Sequence, residues 1–238
     1  MKIDFHSHFL PGIDDGAKTP AQSVEILKYL SDMGIETVCA TPHFARRGER
    51  VADFLERRGG AVARLEAYID EQGIDRSSLP GIVLGAEVHL YKDLSERDGL
   101  YELCYEGTDR ILLELPFRKF EGWELEEVYN IMYSLKVRPV MAHINRYADY
   151  YSKSEFSDMF FNGDFTLQLN SESALSHAGA SLVKKTLKGG YDVVFGCDIH
   201  DPGKIVEYGL EKTQKLLGKL GKARILELED FERSVIDR

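Results

Sequence analysis

Lys2-Ile3-Asp4-Phe5-His6-Ser7-His8 is a short β-rich run that ends in two histidines spaced two apart. The segment behind it decides the fold. Thr19-Pro20-Ala21-Gln22 supplies an N-cap hydroxyl, a proline at the first helical position and a glutamine at the capping-box position, and Gly34 stops the helix behind Met33. A helix of about four turns is expected between them. A second β-rich run, residues 36–41, comes next, so the chain opens as a β-α-β unit, the unit that builds parallel sheets.

The same alternation continues to about residue 230, with further strand candidates at 82–87, 110–115, 138–142, 165–169 and 192–196. Between them Phe54, Ala61, Leu65 and Tyr68 share a helical face, as do Leu125, Val128, Met132 and Leu135, and Val206, Leu210, Leu217 and Leu220. These faces are expected to pack on a sheet. No repeat, low-complexity segment or linker divides the chain, and residues 1–238 read as one α/β domain. Residues 91–109 are the least patterned.

A formal charge of −10 disfavours a broad footprint for nucleic acid or an anionic membrane, both of which need clustered Lys and Arg. The arginines from Arg46 to Arg58 alternate with Glu49, Asp53 and Glu56, which favours a solvated helix face over a positive rim for an acidic peptide. The N-terminus lacks the features of a signal peptide, and no apolar run reaches the ~18 residues of a membrane span, so a cytoplasmic location is expected. Cys39, Cys104 and Cys197 are odd in number and unpaired in spacing, and read as buried thiols.

His6, His8, His43, His143 and His200 stand at or just past the C-terminal ends of strand candidates, where the loops of a parallel α/β fold converge on one face. Carboxylates accompany them at Asp14, Glu87, Glu114 and Asp198. Residues two apart on a strand project to one side, so His6 and His8, and likewise Asp198 and His200, can reach a common ion. A lone histidine is ordinarily a core group, but clustered acids without a cation would repel one another in a buried site. Imidazole and carboxylate donors without a placed cysteine suit Mn, Fe, Co or Zn. His89 and His177 read as structural or surface groups and Asp15 as a turn residue. Cys104 and Arg110 have the spacing of cysteine-dependent phosphatases, but the intervening Tyr105-Glu106-Gly107-Thr108-Asp109 carries two carboxylates and would repel a phosphate.

The ordered motifs Asp4-Phe5-His6-Ser7-His8 with Leu10-Pro11-Gly12-Ile13-Asp14-Asp15-Gly16-Ala17, Ala40-Thr41-Pro42-His43, Gly85-Ala86-Glu87-Val88, Leu113-Glu114-Leu115-Pro116, Ala142-His143 through Arg146-Tyr147, Gln168-Leu169-Asn170 and Asp198-Ile199-His200 span the chain. Together they resemble the bacterial CpsB/CapC-type tyrosine phosphatases of the PHP (polymerase and histidinol phosphatase) superfamily. The resemblance implies a distorted seven-stranded parallel β/α barrel with three divalent metal ions, Mn2+ foremost. By motif, His6, His8, Glu87 and Asp198 would hold one ion. Glu87 would bridge to a second, completed by Glu114 and His143, and Asp14, His43 and His200 would hold the third. Arg146 matches the family's phosphate-binding arginine, while Lys204 stands where a further arginine is usual. Phe44 and Ile144-Asn145 also depart from the family pattern, without removing a ligand.

The resemblance further implies hydrolysis of phosphotyrosine by a metal-activated water, on the tail of a membrane-bound tyrosine kinase in capsule or exopolysaccharide production. The runner-up is a histidinol-phosphate or other small-monoester phosphatase of the same superfamily. A non-catalytic regulator that binds the kinase is the reading from another class, and a homo-oligomer stays open. Tyr147, Tyr150 and Tyr151 beside Arg146 are candidates either for stacking on an aromatic substrate or for core packing.

Overall fold

The computed structural model describes residues 1–44 and 48–236. Strand β1 (Ile3–Ser7) leads to helix α1 (Pro20–Asp32), whose Thr19 hydroxyl accepts the Gln22 N–H at 3.3 Å. Gln22 in turn accepts the N–H of Lys18 at 2.7 Å, one residue before the cap. Strands β2 (Thr37–Ala40) and β3 (His43–Phe44) follow, then helix α2 (Val51–Glu71) with Phe54, Ala61 and Leu65 buried beneath it.

Strands β4 (Gly81–Leu84) and β5 (Glu87–His89) come next, and two short helical turns occupy the poorly patterned stretch before β6 (Arg110–Glu114). Helix α3 (Trp123–Leu135), strand β7 (Arg138–Met141), helix α4 (Lys153–Phe160), strand β8 (Thr166–Asn170), helix α5 (His177–Gly189) and strand β9 (Val193–Gly196) continue the alternation. Helices α6 (Leu210–Leu217) and α7 (Lys222–Ile236) complete the described chain.

All the pairings are parallel, as the β-α-β rhythm requires, but they form two sheets, ordered β1-β2-β4 and β3-β5-β6-β7-β8-β9, and not one continuous seven-stranded ladder. The interruptions fall at two places. Pro42 has no N–H to donate between β2 and β3, and Gly85, between β4 and β5, packs so close to Tyr105 that an added Cβ would lie 2.9 Å from its ring. At the other side β9 adjoins β1: the Asp198 N–H donates to His6 O at 2.6 Å and the His8 N–H to Ile199 O at 3.0 Å.

The expected helical face from Val206 to Leu220 is broken. Gly209 takes a left-handed conformation with φ of 68°, and a Cβ there would lie 2.8 Å from Ser171 O, so α6 starts afresh at Leu210. Leu210 and Leu217 nevertheless share its buried side. On α2, Arg50 and Asp53 form an exposed pair, whereas Arg57, Arg58 and Arg64 donate to the carbonyls of Ile13, Gly85 and Pro11. Those three arginines therefore fasten backbone, the first and last of them in the loop after β1. Arg46 and Arg47 lie outside the described residues. No described helix is long and apolar enough to cross a membrane.

Candidate metal centre

His6 on β1 and His8, the residue just past its end, stand two apart, and both are fully buried. Their Nε2 atoms stand 3.0 Å apart. Glu87 Oε2 lies 3.3 Å from each, and Asp198 Oδ1 lies 3.5 Å from each. Four donor atoms arranged tetrahedrally about a cation at ~2.1 Å would be spaced by about 3.4 Å, and the spacings of His6, His8 and Glu87 are close to that, with Asp198 beside the two imidazoles.

Glu87 is shared. While Oε2 faces His6 and His8, Oε1 lies 2.9 Å from Nε2 of His143, which is 3.4 Å from Glu114 Oε1. His43 approaches Glu87 from the other side, with Nδ1 at 2.9 Å from Oε2. Farther out, Oδ1 of Asp15 lies 3.3 Å from His43 Nε2 and 3.4 Å from His200 Nε2, and the His200 ring stacks on His8 at 4.0 Å. Among the described residues, the donor groups close enough to hold a cation are His6, His8 and Glu87; His43, Glu87 and Glu114; and His8, Asp15, His43 and His200.

Asp14, expected among these ligands, is committed elsewhere. Its carboxylate accepts His8 Nδ1 at 2.8 Å, the Gly16 N–H at 2.9 Å and the His43 N–H at 3.1 Å. The tight turn to Gly16 directs Asp14 inward behind His8 and brings Asp15, read from sequence as a mere turn residue, to the cluster. His89 also exceeds its expected role: Nδ1 lies 3.0 Å from Glu114 Oε2 and holds that carboxylate. It stands two residues after Glu87, the same spacing that pairs His6 with His8. His177 begins α5, as expected.

The charges explain one another. Burial opposes an imidazolium at His8, but the hydrogen bonds it donates to Asp14 and Glu87 raise its pKa well above the ordinary range. His143 is likewise pushed up to about 9, burial being outweighed by Glu114 and Glu87. Burial would raise the acids, yet their imidazole neighbours hold Asp14, Glu114 and Asp198 down to about 2. Protonated histidines thus do here what a cation does better, since an ion can meet every donor at once. His143 Nδ1 is buried and without a hydrogen-bond partner among the described residues.

Arg146 reaches the cluster, its Nη2 2.7 Å from Asp198 Oδ2 and 3.3 Å from Glu172 Oε1. Lys204 is exposed, and its amine meets no hydrogen-bond or ion-pair partner among the described residues. Two amides missed as site residues tie the group together. Gln168 Oε1 accepts the His143 N–H at 2.6 Å and lies 3.1 Å from His6 Nδ1, and Asn170 Nδ2 donates to Asp198 Oδ2 at 2.9 Å. Their alternation on β8 was the signal available in the sequence. Tyr147 is core: it is fully buried, its hydroxyl donates to Leu115 O at 2.7 Å and accepts the Leu115 N–H at 3.0 Å. Cys39, Cys104 and Cys197 are buried free thiols.

Known proteins share this arrangement of elements. The chain is 30% identical over 144 residues to the tyrosine-protein phosphatase YwqE of Bacillus subtilis (strain 168), a match covering 60% of this chain and 54% of that protein. It is 23% identical over 189 residues to the putative tyrosine-protein phosphatase CapC of Staphylococcus aureus, covering 78% and 71% of the two. The fold matches a solved structure from a study of YwqE from Bacillus subtilis and CpsB from Streptococcus pneumoniae, described as metal-dependent tyrosine phosphatases, with TM-score 0.79 and 22% identity over 99% of this chain and 95% of the other. The family model for capsular polysaccharide synthesis proteins CpsB/CapC matches residues 2–228, and with the motif residues gathered at one end of the strands, the chain belongs to that family.

Proposed function

We propose that this protein is a metal-dependent phosphatase that hydrolyses phosphotyrosine, in the setting of capsule or exopolysaccharide production, on the tail of a tyrosine kinase. The observation that carries the reading is the double use of Glu87, whose two oxygens face separate imidazole groups 2.9 Å and 3.3 Å away, the arrangement a bridging carboxylate needs. His6, His8, Glu87 and Asp198 would hold one cation, Glu87, Glu114 and His143 a second, and Asp15, His43 and His200 a third. Mn2+ is the leading ion for this oxygen and imidazole set. Taking β2 with β3, and β4 with β5, as single interrupted strands supports reading the fold as a distorted seven-stranded barrel, here proposed as one domain.

When bound, the cations supply Lewis acidity that brings a water's pKa toward ~7 and a positive field for a phosphate dianion. The chain itself does the rest. Arg146 presents a guanidinium fork to the non-bridging phosphate oxygens, exchanging its contacts with Asp198 and Glu172 for them. Lys204, four residues past His200, adds charge but no fork. Gln168 and Asn170 hold His6, His143 and Asp198 in register, and burial keeps bulk water away from the acids. A phenolate leaves without a dedicated proton donor, because its conjugate acid titrates near ~10.

The test is phosphate release from a phosphotyrosyl peptide by chelator-stripped protein before and after Mn2+ is added. Activity that appears with Mn2+, and exceeds that on histidinol phosphate, supports the reading. A higher rate on histidinol phosphate would assign the small-monoester function, and inactivity with intact kinase binding would assign the regulator.

A further inference from the structure

We propose that Phe117 is the platform on which the aryl ring of the substrate rests, and so the residue that makes this site prefer an aryl phosphate to an alkyl phosphate. This rests on the phosphatase reading above and gives the site a substrate-contacting residue absent from the motif set. Phe117 follows Leu115-Pro116 in the segment after β6, three residues beyond Glu114. Although it borders a cluster of buried acids and imidazoles, it is 43% exposed.

Its ring stacks on the imidazole of His143 at 5.4 Å and 25° and on Tyr147 at 5.5 Å and 14°. The centroids of His143 and Tyr147 are themselves only 6.0 Å apart. Rings on opposite faces of Phe117 would be held at least about 7 Å apart by a carbon–carbon contact distance of ~3.5 Å on each side, so both lie on one side and the exposure belongs to the other. Below, the platform is rigid, because Tyr147 is clamped through its hydroxyl to the backbone of Leu115, two residues before Phe117.

The chemistry of the substrate completes the case. Its phosphate is drawn to the donor cluster and to Arg146, whose N–H donates to His143 O at 2.9 Å. The aryl ring hangs from phosphorus by one oxygen and must therefore rest on the wall of the same site, where His143 and Phe117 are in contact. An apolar ring face at that wall covers an aryl group by offset stacking and gives an alkyl chain no comparable partner. Two of the tyrosines beside Arg146 do not serve: Tyr147 is buried, and the Tyr151 hydroxyl is engaged by the Phe120 N–H at 2.8 Å.

Binding of phenylphosphonate and of methylphosphonate, measured by calorimetry on Mn2+-loaded protein, separates this role from mere support of His143. In Phe117→Leu the affinity for phenylphosphonate is expected to fall roughly three- to thirtyfold, with methylphosphonate within about twofold of the parent and the Mn2+ content unchanged, while Phe117→Tyr restores the preference. Equal losses for both ligands, loss for neither, or a parent protein indifferent to the phenyl group overturns the proposal. A parent that prefers phenylphosphonate through Phe117 yet releases no phosphate from any monoester leaves the ring site standing and removes the phosphatase reading instead.

Discussion

Gln168 Oε1 stands 3.1 Å from His6 Nδ1, and because an amide oxygen only accepts, that nitrogen carries the proton and Nε2 offers its lone pair to the donor group. The amide is not free to turn: its Nε2 donates to Asn170 Oδ1 at 3.0 Å while its oxygen also takes the His143 N–H. Gln168→Leu keeps the volume and removes the acceptor. Cation affinity is expected to fall about 10–100-fold in a chelator competition, and stability by roughly 1–3 kcal/mol in urea, because the His143 N–H is left buried and unpaired. Unchanged affinity would reduce Gln168 to packing.

Asp14 and Asp15 should fail in different ways. Asp14 satisfies two backbone N–H groups and His8, so Asp14→Ala is expected to cost about 2–4 kcal/mol of folding stability. Asp15 is 70% exposed, and Asp15→Ala should leave the unfolding midpoint of stripped protein where it was while lowering the number of cations retained. The reverse pattern would return Asp14 to the ligand set.

The stripped protein should lose stability as the solution becomes alkaline. Despite its burial, His143 is pushed up to about 9 by Glu114 and Glu87, from ~6.5 when unfolded. Its contribution is complete below ~6.5 and is lost as pH rises through about 9, a change of at most about 3 kcal/mol. Glu114, brought down to about 2 against its burial, contributes above ~4.5 and fails only in strong acid. Cation binding needs neutral imidazole, so affinity should climb over the same alkaline range. Thermal unfolding with chelator between pH 6.5 and 9.5 reads the first effect. A melting temperature that rises with pH in chelator would contradict the assignment.

Cys104 is not expected to be a nucleophile. Burial pushes its thiol up to about 12, and Arg110, the would-be phosphate loop arginine, donates to Thr166 Oγ1 at 2.9 Å. Both Arg110 and Thr166 are the first residues of their strands, at the end of the sheet opposite the cluster. Cys104→Ser should therefore keep its turnover in the peptide assay. An inactive but folded and cation-bound variant would move the chemistry to the thiol.

The end of β1 was legible in the sequence because His6 and His8 follow a two-residue period that needs no tertiary knowledge; Asp198 and His200 share the spacing but lie past β9, Asp198 with a φ of 54°. The same rule extended to Glu87 and His89 would have found the partner of Glu114. Asp14 and Asp15 were not separable, since adjacent acids in a loop differ only by the turn to Gly16 that points one inward. The break at Pro42 was there to be read, since proline has no N–H, but the one at Gly85 depends on a contact with Tyr105, which comes later in the chain. Phe117 carried no periodic signal at all. Its place comes from stacking on His143, a contact between side chains of different strand ends.

Gly196 offers the strictest check on how the cluster is held. It ends β9, pairs with Asn170 on β8, and a Cβ there would stand 2.5 Å from His6 Cβ and 2.8 Å from Gln168 Nε2. Neither neighbour is a flexible tip: His6 is anchored on a buried strand, and Gln168 is held by its bonds to His143 and Asn170. Gly196→Ala is therefore expected to cost about 1–3 kcal/mol through overpacking and to weaken cation binding by prising His6 from Gln168. Because that is the contact Gln168→Leu already removes, the losses in affinity should not add in the double variant. Fully additive losses would mean that Gly196 acts on the cluster by some route other than the His6–Gln168 pair.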